Sequence, residues 1–141
     1  MNILISACLL GTDCKYNGGN NFNKNVSHLA DKHTVIPVCP EQLGGLLTPR
    51  PPAEIKCGMV INKTGVDVTN EFVLGAKKVL DIAKKYDCTI AVLKANSPSC
   101  GCGKIYDGSF SGTLVSGNGI CAKMLIDNNI KVLTENDDLN F

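Results

Sequence analysis

Three times along this chain a short apolar run gives way to a turn that carries a cysteine. Asn2–Ala7 runs into Cys8, Thr34–Val38 into Cys39, and Thr89–Leu93 into the small-residue stretch Lys94–Gly108 with Cys100 near its middle. Apolar runs of this length, bounded by turn residues, read as buried strands. Helical signals separate them, and the order strand–helix–strand–loop–hairpin–helix–strand–loop–helix–strand packs as helices on a mainly parallel sheet. The expected fold class is therefore α/β, Rossmann-like. In such a sheet the strand ends share one edge, and ligands sit outside that edge. Three thiols that are far apart in sequence are then expected to converge. Cys100, between Ser99 and Gly101, has little side-chain bulk beside it, so a metal or substrate can approach closely.

The segments between the strands follow from local chemistry. Leu9–Asn23 holds three glycines and four asparagines, so it is a loop, with Cys14 inside it. A short helix is expected over Val26–Lys32, with Asn25 as its N-cap. Pro40–Lys56 contains four prolines and a Gly-Gly pair, which forbid a long regular element. A loop of that length is usually functional, and its leucines favour an ordered loop lying over a site. Met59–Ile61 and Val66–Thr69 flank Asn62–Gly65 as a hairpin. Thr69 caps a helix to about Tyr86, whose Phe72, Val73, Ala76, Val79, Leu80 and Ala83 form one apolar stripe. Gly117–Gly119 opens a helix over Ile120–Asp127. Lys131–Thr134 is the last strand, and Glu135–Phe141 is a polar tail. No repeat or internal boundary divides residues 1–141, so one domain is expected.

Charge and composition narrow the function. Net charge is +1 with no basic run, which argues against nucleic acid as the main partner. No apolar run approaches the length of a membrane span. The first residues are too short and uncharged for a signal peptide, so a cytoplasmic protein is expected. Eight cysteines in such a chain then require an explanation other than a disulfide framework, because that compartment is reducing. Cys57, Cys88 and Cys121 adjoin apolar segments and are expected to pack as small hydrophobes. The remainder point to metal binding or thiol chemistry. Thiolates suit zinc, copper(I) and iron–sulfur clusters. Structural zinc prefers paired Cys-x2-Cys spacings and four ligands, whereas the only close pairs here are Cys100–Cys102 and the wider Cys8–Cys14.

The residues around the cysteines form longer blocks: Ser6-Ala7-Cys8-Leu9-Leu10-Gly11 with Cys14-Lys15-Tyr16-Asn17-Gly18, and Cys39-Pro40-Glu41-Gln42-Leu43-Gly44-Gly45-Leu46 with Pro49-Arg50-Pro51. Asp67-Val68-Thr69 follows, then Ser97-Pro98-Ser99-Cys100-Gly101 and Tyr106-Asp107-Gly108. In combination, and over nearly the whole chain, they resemble the TudS-type thiouracil desulfidases, a family long grouped as a bacterial domain of unknown function. The resemblance implies a 4Fe–4S cluster held by three cysteines with one open iron. By motif the ligands are Cys8, Cys39 and Cys100, the three that the strand pattern also selects. It further implies removal of sulfur from a small thiolated nucleobase by non-redox hydrolysis, giving uracil and hydrogen sulfide. Glu41 and Ser97 match its catalytic side chains.

Plainer roles stand beside these. Glu41 can serve as a cap after Pro40, Ser97 can open a Ser-Pro turn, and Arg50 can pair with a carboxylate. Lys94 either contacts substrate or snorkels. Two other functions fit the residues: a non-catalytic cluster-based binding or sulfide-carrying module for small thiolated ligands, and a thiol-redox protein using Cys100 and Cys102. The sequence sets no oligomeric state.

Overall fold

The structure, a computed structural model, describes residues 1–141. Strands β1 (Asn2–Ser6), β2 (Thr34–Val38), β5 (Ile90–Leu93) and β8 (Lys131–Thr134) form one sheet in the order β2–β1–β5–β8, and every neighbouring pair is parallel. The expected α/β architecture is the one observed. Both faces are covered, which is why the strands read as continuous apolar runs. Alternation then divides them. Leu4, Ala91, Leu93 and Val132 pack with Ala76, Val79 and Ala83 of helix α3 (Thr69–Lys85) and with Cys121, Ala122 and Leu125 of helix α4 (Ile120–Asp127). Ile3, Ile5 and Val92 face the other way, onto Leu9, Val26 and Leu29. No helix is long and apolar enough to cross a membrane.

Several local expectations shift. Helix α1 spans Lys24–Ser27 and continues as a 3-10 turn over His28–Asp31. Its N-cap is Asn23, not Asn25: Asn23 has the extended backbone a cap needs, and its Oδ1 accepts from the Val26 amide at 3.1 Å. Thr69 is the first residue of α3 rather than its cap. Asp67 Oδ1 accepts the Thr69 amide, while Thr69 Oγ1 accepts the Val60 amide. The proline-rich loop ends at Pro52, because Ala53–Lys56 is free of proline and forms strand β3, paired antiparallel with β4 (Met59–Asn62). Cys57 and Gly58 turn that hairpin with φ of 52° and 77°, the doubly left-handed geometry of a two-residue turn. Cys57 is consequently exposed, whereas Cys88 and Cys121 are buried as expected. The turn expected at Asn62–Gly65 exists, but only the Ile61–Asp67 bridge follows it. A second hairpin, β6 (Lys104–Tyr106) with β7 (Leu114–Ser116), is absent from the sequence reading; its strands are three residues each, too short for an alternation to show.

Helix α2 (Pro40–Leu43) is a single turn started by Pro40. It lies so close to α3 that no side chain fits between them. A Cβ on Gly44 would sit 1.9 Å from the Glu71 carbonyl oxygen, and one on Gly75 would sit 1.9 Å from that of Pro40. Backbone oxygens on both sides leave no flexible atom to yield. Gly75→Ala is therefore expected to cost about 1–3 kcal/mol, the usual range for overpacking, and to push α2 outward with Cys39 and Glu41. Urea denaturation measures the first effect. Loss of Arg50–Glu41 geometry in a crystal structure of the variant reports the second.

Candidate active site

The parallel registers bring the cysteine turns together. Ser6 lies level with Val38, and Ile5 with Val92, so β1, β2 and β5 release the chain at one edge. A cavity of about 460 Å³ opens there, lined by Cys8, Cys39 and Cys100, as the sequence leads one to expect. Glu41, Ser97 and Lys94 line it too. So does Cys14, whose part was not readable from its place in a glycine- and asparagine-rich loop. Cys102 does not line the cavity. Its Sγ donates to the Val132 carbonyl at 3.7 Å, and its side chain packs against the core formed with α3 and α4. Of the Cys100 and Cys102 thiols, only the first faces the cavity.

The Cys100 turn is built by backbone chemistry. Ser97 Oγ accepts the amides of Ser99 at 3.1 Å and Cys100 at 3.0 Å, which closes the loop on itself. The first amides of α4 then hold it in place: Ile120 donates to the Pro98 carbonyl, and Cys121 and Ala122 donate to that of Ser99. This occupies the helix N-terminus, so Gly117–Gly119 serves the turn and no anion. Gly119 is required by the approach itself, since a Cβ there would sit 2.5 Å from the Ser99 carbonyl carbon. Two hydroxyls aim at the Cys100 sulfur, Ser6 Oγ at 3.4 Å and Ser99 Oγ at 3.5 Å. Ser6 is itself oriented by the Lys94 amide at 3.0 Å. Neither serine is assigned a role from the sequence: Ser6 ends an apolar strand, Ser99 lies inside a turn, and neither position has a distinctive spacing.

The thiols differ in charge state. Cys39 Sγ reaches the Cys14 carbonyl at 3.8 Å, and the Cys14 thiol, with one proton to donate to Cys8 or to Cys39, favours the thiolate of either. Despite burial, both are lowered from 9.0 to about 7. The same contacts push Cys14 strongly the other way and keep it protonated. Cys100 is fully buried, and desolvation raises it to about 12 against the opposing pull of Ser6 and Ser99.

Charged side chains frame these sulfurs. Arg50 Nη2 donates to Glu41 Oε2 and to the Cys14 carbonyl, each at 2.8 Å, while Nη1 donates to Leu47 O and Thr48 Oγ1. The Arg50 side chain is 6% exposed and the Glu41 side chain 19%, so the pair is held largely out of water. Glu41 Oε1 has no protein partner. Lys94 Nζ pairs with Glu135 Oε2 at 3.0 Å, and Glu135 Oε1 accepts the Ala95 amide at 2.7 Å. Lys94 therefore enters the cavity with its charge already matched. Glu54, unmarked in the sequence, is buried and lines the same cavity.

No three Cys, His, Asp or Glu side chains draw close enough to grip one metal ion. A lone structural zinc, which needs four converging ligands, does not fit. Separated thiols around a cavity of this size suit a polynuclear iron–sulfur group, whose irons are spread and whose ligands are thiolates.

The family model for 2-thiouracil desulfurase matches residues 3–137. YbbK, an uncharacterised protein of Bacillus subtilis strain 168, is 40% identical over 145 residues, which is 96% of each chain. Among solved structures, a 4Fe–4S-dependent thiouracil desulfidase, TudS, is 39% identical and aligns with a TM-score of 0.89 over 95% of this chain and 90% of that one.

Iron-free protein should show the thiol asymmetry directly. Cys8 and Cys39 are expected to react with iodoacetamide with midpoints near pH 7, and Cys100 to stay unmodified until far above that, read peptide by peptide by mass spectrometry. The same shifts set a stability slope. Between about pH 7 and 9 the unfolded chain binds protons at Cys8 and Cys39 that the folded chain has released, so stability rises with pH in that window and is lost below it. Above about 9 the protonated Cys14 and Cys100 reverse the slope.

Proposed function

We propose that this chain, which belongs to the 2-thiouracil desulfurase family, is an iron–sulfur-dependent desulfidase. It converts a thiouracil-type nucleobase and water into uracil and hydrogen sulfide. One observation carries the reading: three thiols, each following a strand of one sheet, share a cavity with an ion-paired carboxylate. Cys8, Cys39 and Cys100 hold a 4Fe–4S cluster. Cys8 and Cys39 are poised as thiolates, and Cys100 gives up its proton on binding, with Ser6 and Ser99 donating to the resulting charge. When bound, such a cluster supplies an open iron, a soft Lewis acid matched to a thiocarbonyl sulfur.

The chain supplies the rest. Arg50 fixes Glu41 through Oε2 and leaves Oε1 to take a proton from the attacking water. Ser97 has both lone pairs engaged by amides, so its hydroxyl can only donate, either to Ser99 Oγ or to the heterocycle. No electron changes hands, because water replaces sulfur at the same carbon oxidation level. Eight free thiols and an air-sensitive cofactor suit the reducing cytoplasm.

Sulfide release from 2-thiouracil and 4-thiouracil by anaerobically reconstituted protein tests this. Glu41→Gln should keep the cluster absorbance and turn over about 10²–10⁴-fold more slowly, the usual contribution of a general base. Cys8→Ser, Cys39→Ser and Cys100→Ser should each lose the absorbance, and Cys14→Ser should retain it. Wild-type rates in Glu41→Gln would remove the assigned base. Cluster loss in Cys14→Ser with retention in one of the three would replace the ligand set. Binding without sulfide release would leave a cluster-based carrier of thiolated ligands.

A further inference from the structure

The hairpin of β6 and β7 has no part in holding the thiols, yet it supplies Tyr106, Phe110 and Gly112 to the cavity lining. Its tip is built with unusual care. Glu54 Oε1, on β3, accepts the amides of both Gly108 and Phe110 at 3.0 Å. That carboxylate is 9% exposed and has no cationic partner, so burying it is costly and the two amides are what it holds. Gly108, at φ 94°, lies so close to β3 that a Cβ would come within 2.8 Å of Lys56 Cβ. Asp107 takes the Ser109 amide and hydroxyl, and hydroxyls link Ser109, Ser111 and Thr113. These contacts keep Phe110, a residue with a β-carbon, at φ 57°. A non-glycine residue fixed there over-determines where its side chain goes, and such positions cluster at ligand clamps. With no tryptophan, four phenylalanines and three tyrosines in the chain, aromatic surface is scarce, and Tyr16, Tyr106 and Phe110 all border this one cavity.

We propose that Phe110 is a specificity determinant: its ring stacks on the planar thiolated heterocycle, and Glu54 is the positioning residue that holds it there by gripping the Gly108 and Phe110 amides. The assignment rests on the desulfidase reading for its ligand class. It adds a binding face that depends on neither the cysteines nor Glu41. A π-face recognises a conjugated ring over a larger area than it offers a small acyclic thioamide, so it favours rings.

The test is binding and kinetics on reconstituted protein with 2-thiouracil, and binding alone with uracil. Phe110→Ala should raise Kd for both, and KM for 2-thiouracil, by about 5–150-fold, the range for losing one aromatic–base stack. Its kcat and cluster absorbance should stay at wild-type values, and Phe110→Trp should restore Kd. Glu54→Gln should raise Kd by a smaller factor, and adding it to Phe110→Ala should change little further, as expected when one acts through the other. An unchanged Kd in Phe110→Ala, a fall in kcat at constant KM, or additive effects of the two substitutions would overturn the assignment. Wild-type protein that binds neither ring also overturns it. Wild-type protein that binds 2-thiouracil through Phe110 but releases no sulfide sinks the desulfidase activity and leaves this assignment standing.

Discussion

The parallel pairing of β1 with both β2 and β5 is the constraint on which the site depends. β1 is an interior strand that fixes the height of its two neighbours, with Ile3, Leu4 and Ile5 wholly buried between two packed faces. A slip of one residue would exchange those faces and bury the wrong side chains, so the register is strongly specified by the apolar core. Because it is, three chain segments leave the sheet at one level, and their cysteines meet without any local sequence motif that brings them together. The core sets the site's geometry before any polar group contributes.

Arg50 then does for the loops what the register does for the strands. One guanidinium reaches Glu41, Cys14, Leu47 and Thr48, and so ties α2, the cysteine loop after β1 and the proline-rich segment to one point. Placing a charge where it is 6% exposed is expensive unless it is paired and hydrogen-bonded. Four bonds meet most of that cost and leave only Nε without a partner. A planar fork suits this task, and a lysine could not address four acceptors in fixed directions. The close contact of α2 with α3 through Gly44 and Gly75 fixes the other end of the same segment. Glu41 is therefore oriented from both sides.

The strands, the two long helices and the convergence of Cys8, Cys39 and Cys100 were legible because they are written as periodicity and boundary, which single positions carry. What escaped notice depends on partners chosen in three dimensions. The β3–β4 hairpin turns on Cys57-Gly58, and cysteine is not a residue that signals a left-handed turn. The β6–β7 strands are too short to alternate. Asn23 displaced Asn25 as a cap because two asparagines two positions apart offer the same chemistry, and only the backbone decides between them. Cys14, Ser6, Ser99 and Glu54 reach the site through contacts that span many residues, for which sequence spacing holds no record. Cys102 illustrates the opposite error: it lies two positions from Cys100, and the turn sends it into the core.

Of these late-found residues, Cys14, Ser6 and Ser99 share a physical role, which is to favour charge on sulfur through neutral donors. Arg50 and Lys94 are both matched by carboxylates, Glu41 and Glu135. Anionic sulfur is instead met by neutral donors: the single Cys14 thiol proton, shared between Cys8 and Cys39, and the serine hydroxyls at Cys100. Neutral donors stabilise a thiolate at close range, while their fields decay faster with distance than those of an ion. Arg50 and Lys94 are thus each engaged by a carboxylate, and the sulfurs beside them are served by short-range dipoles.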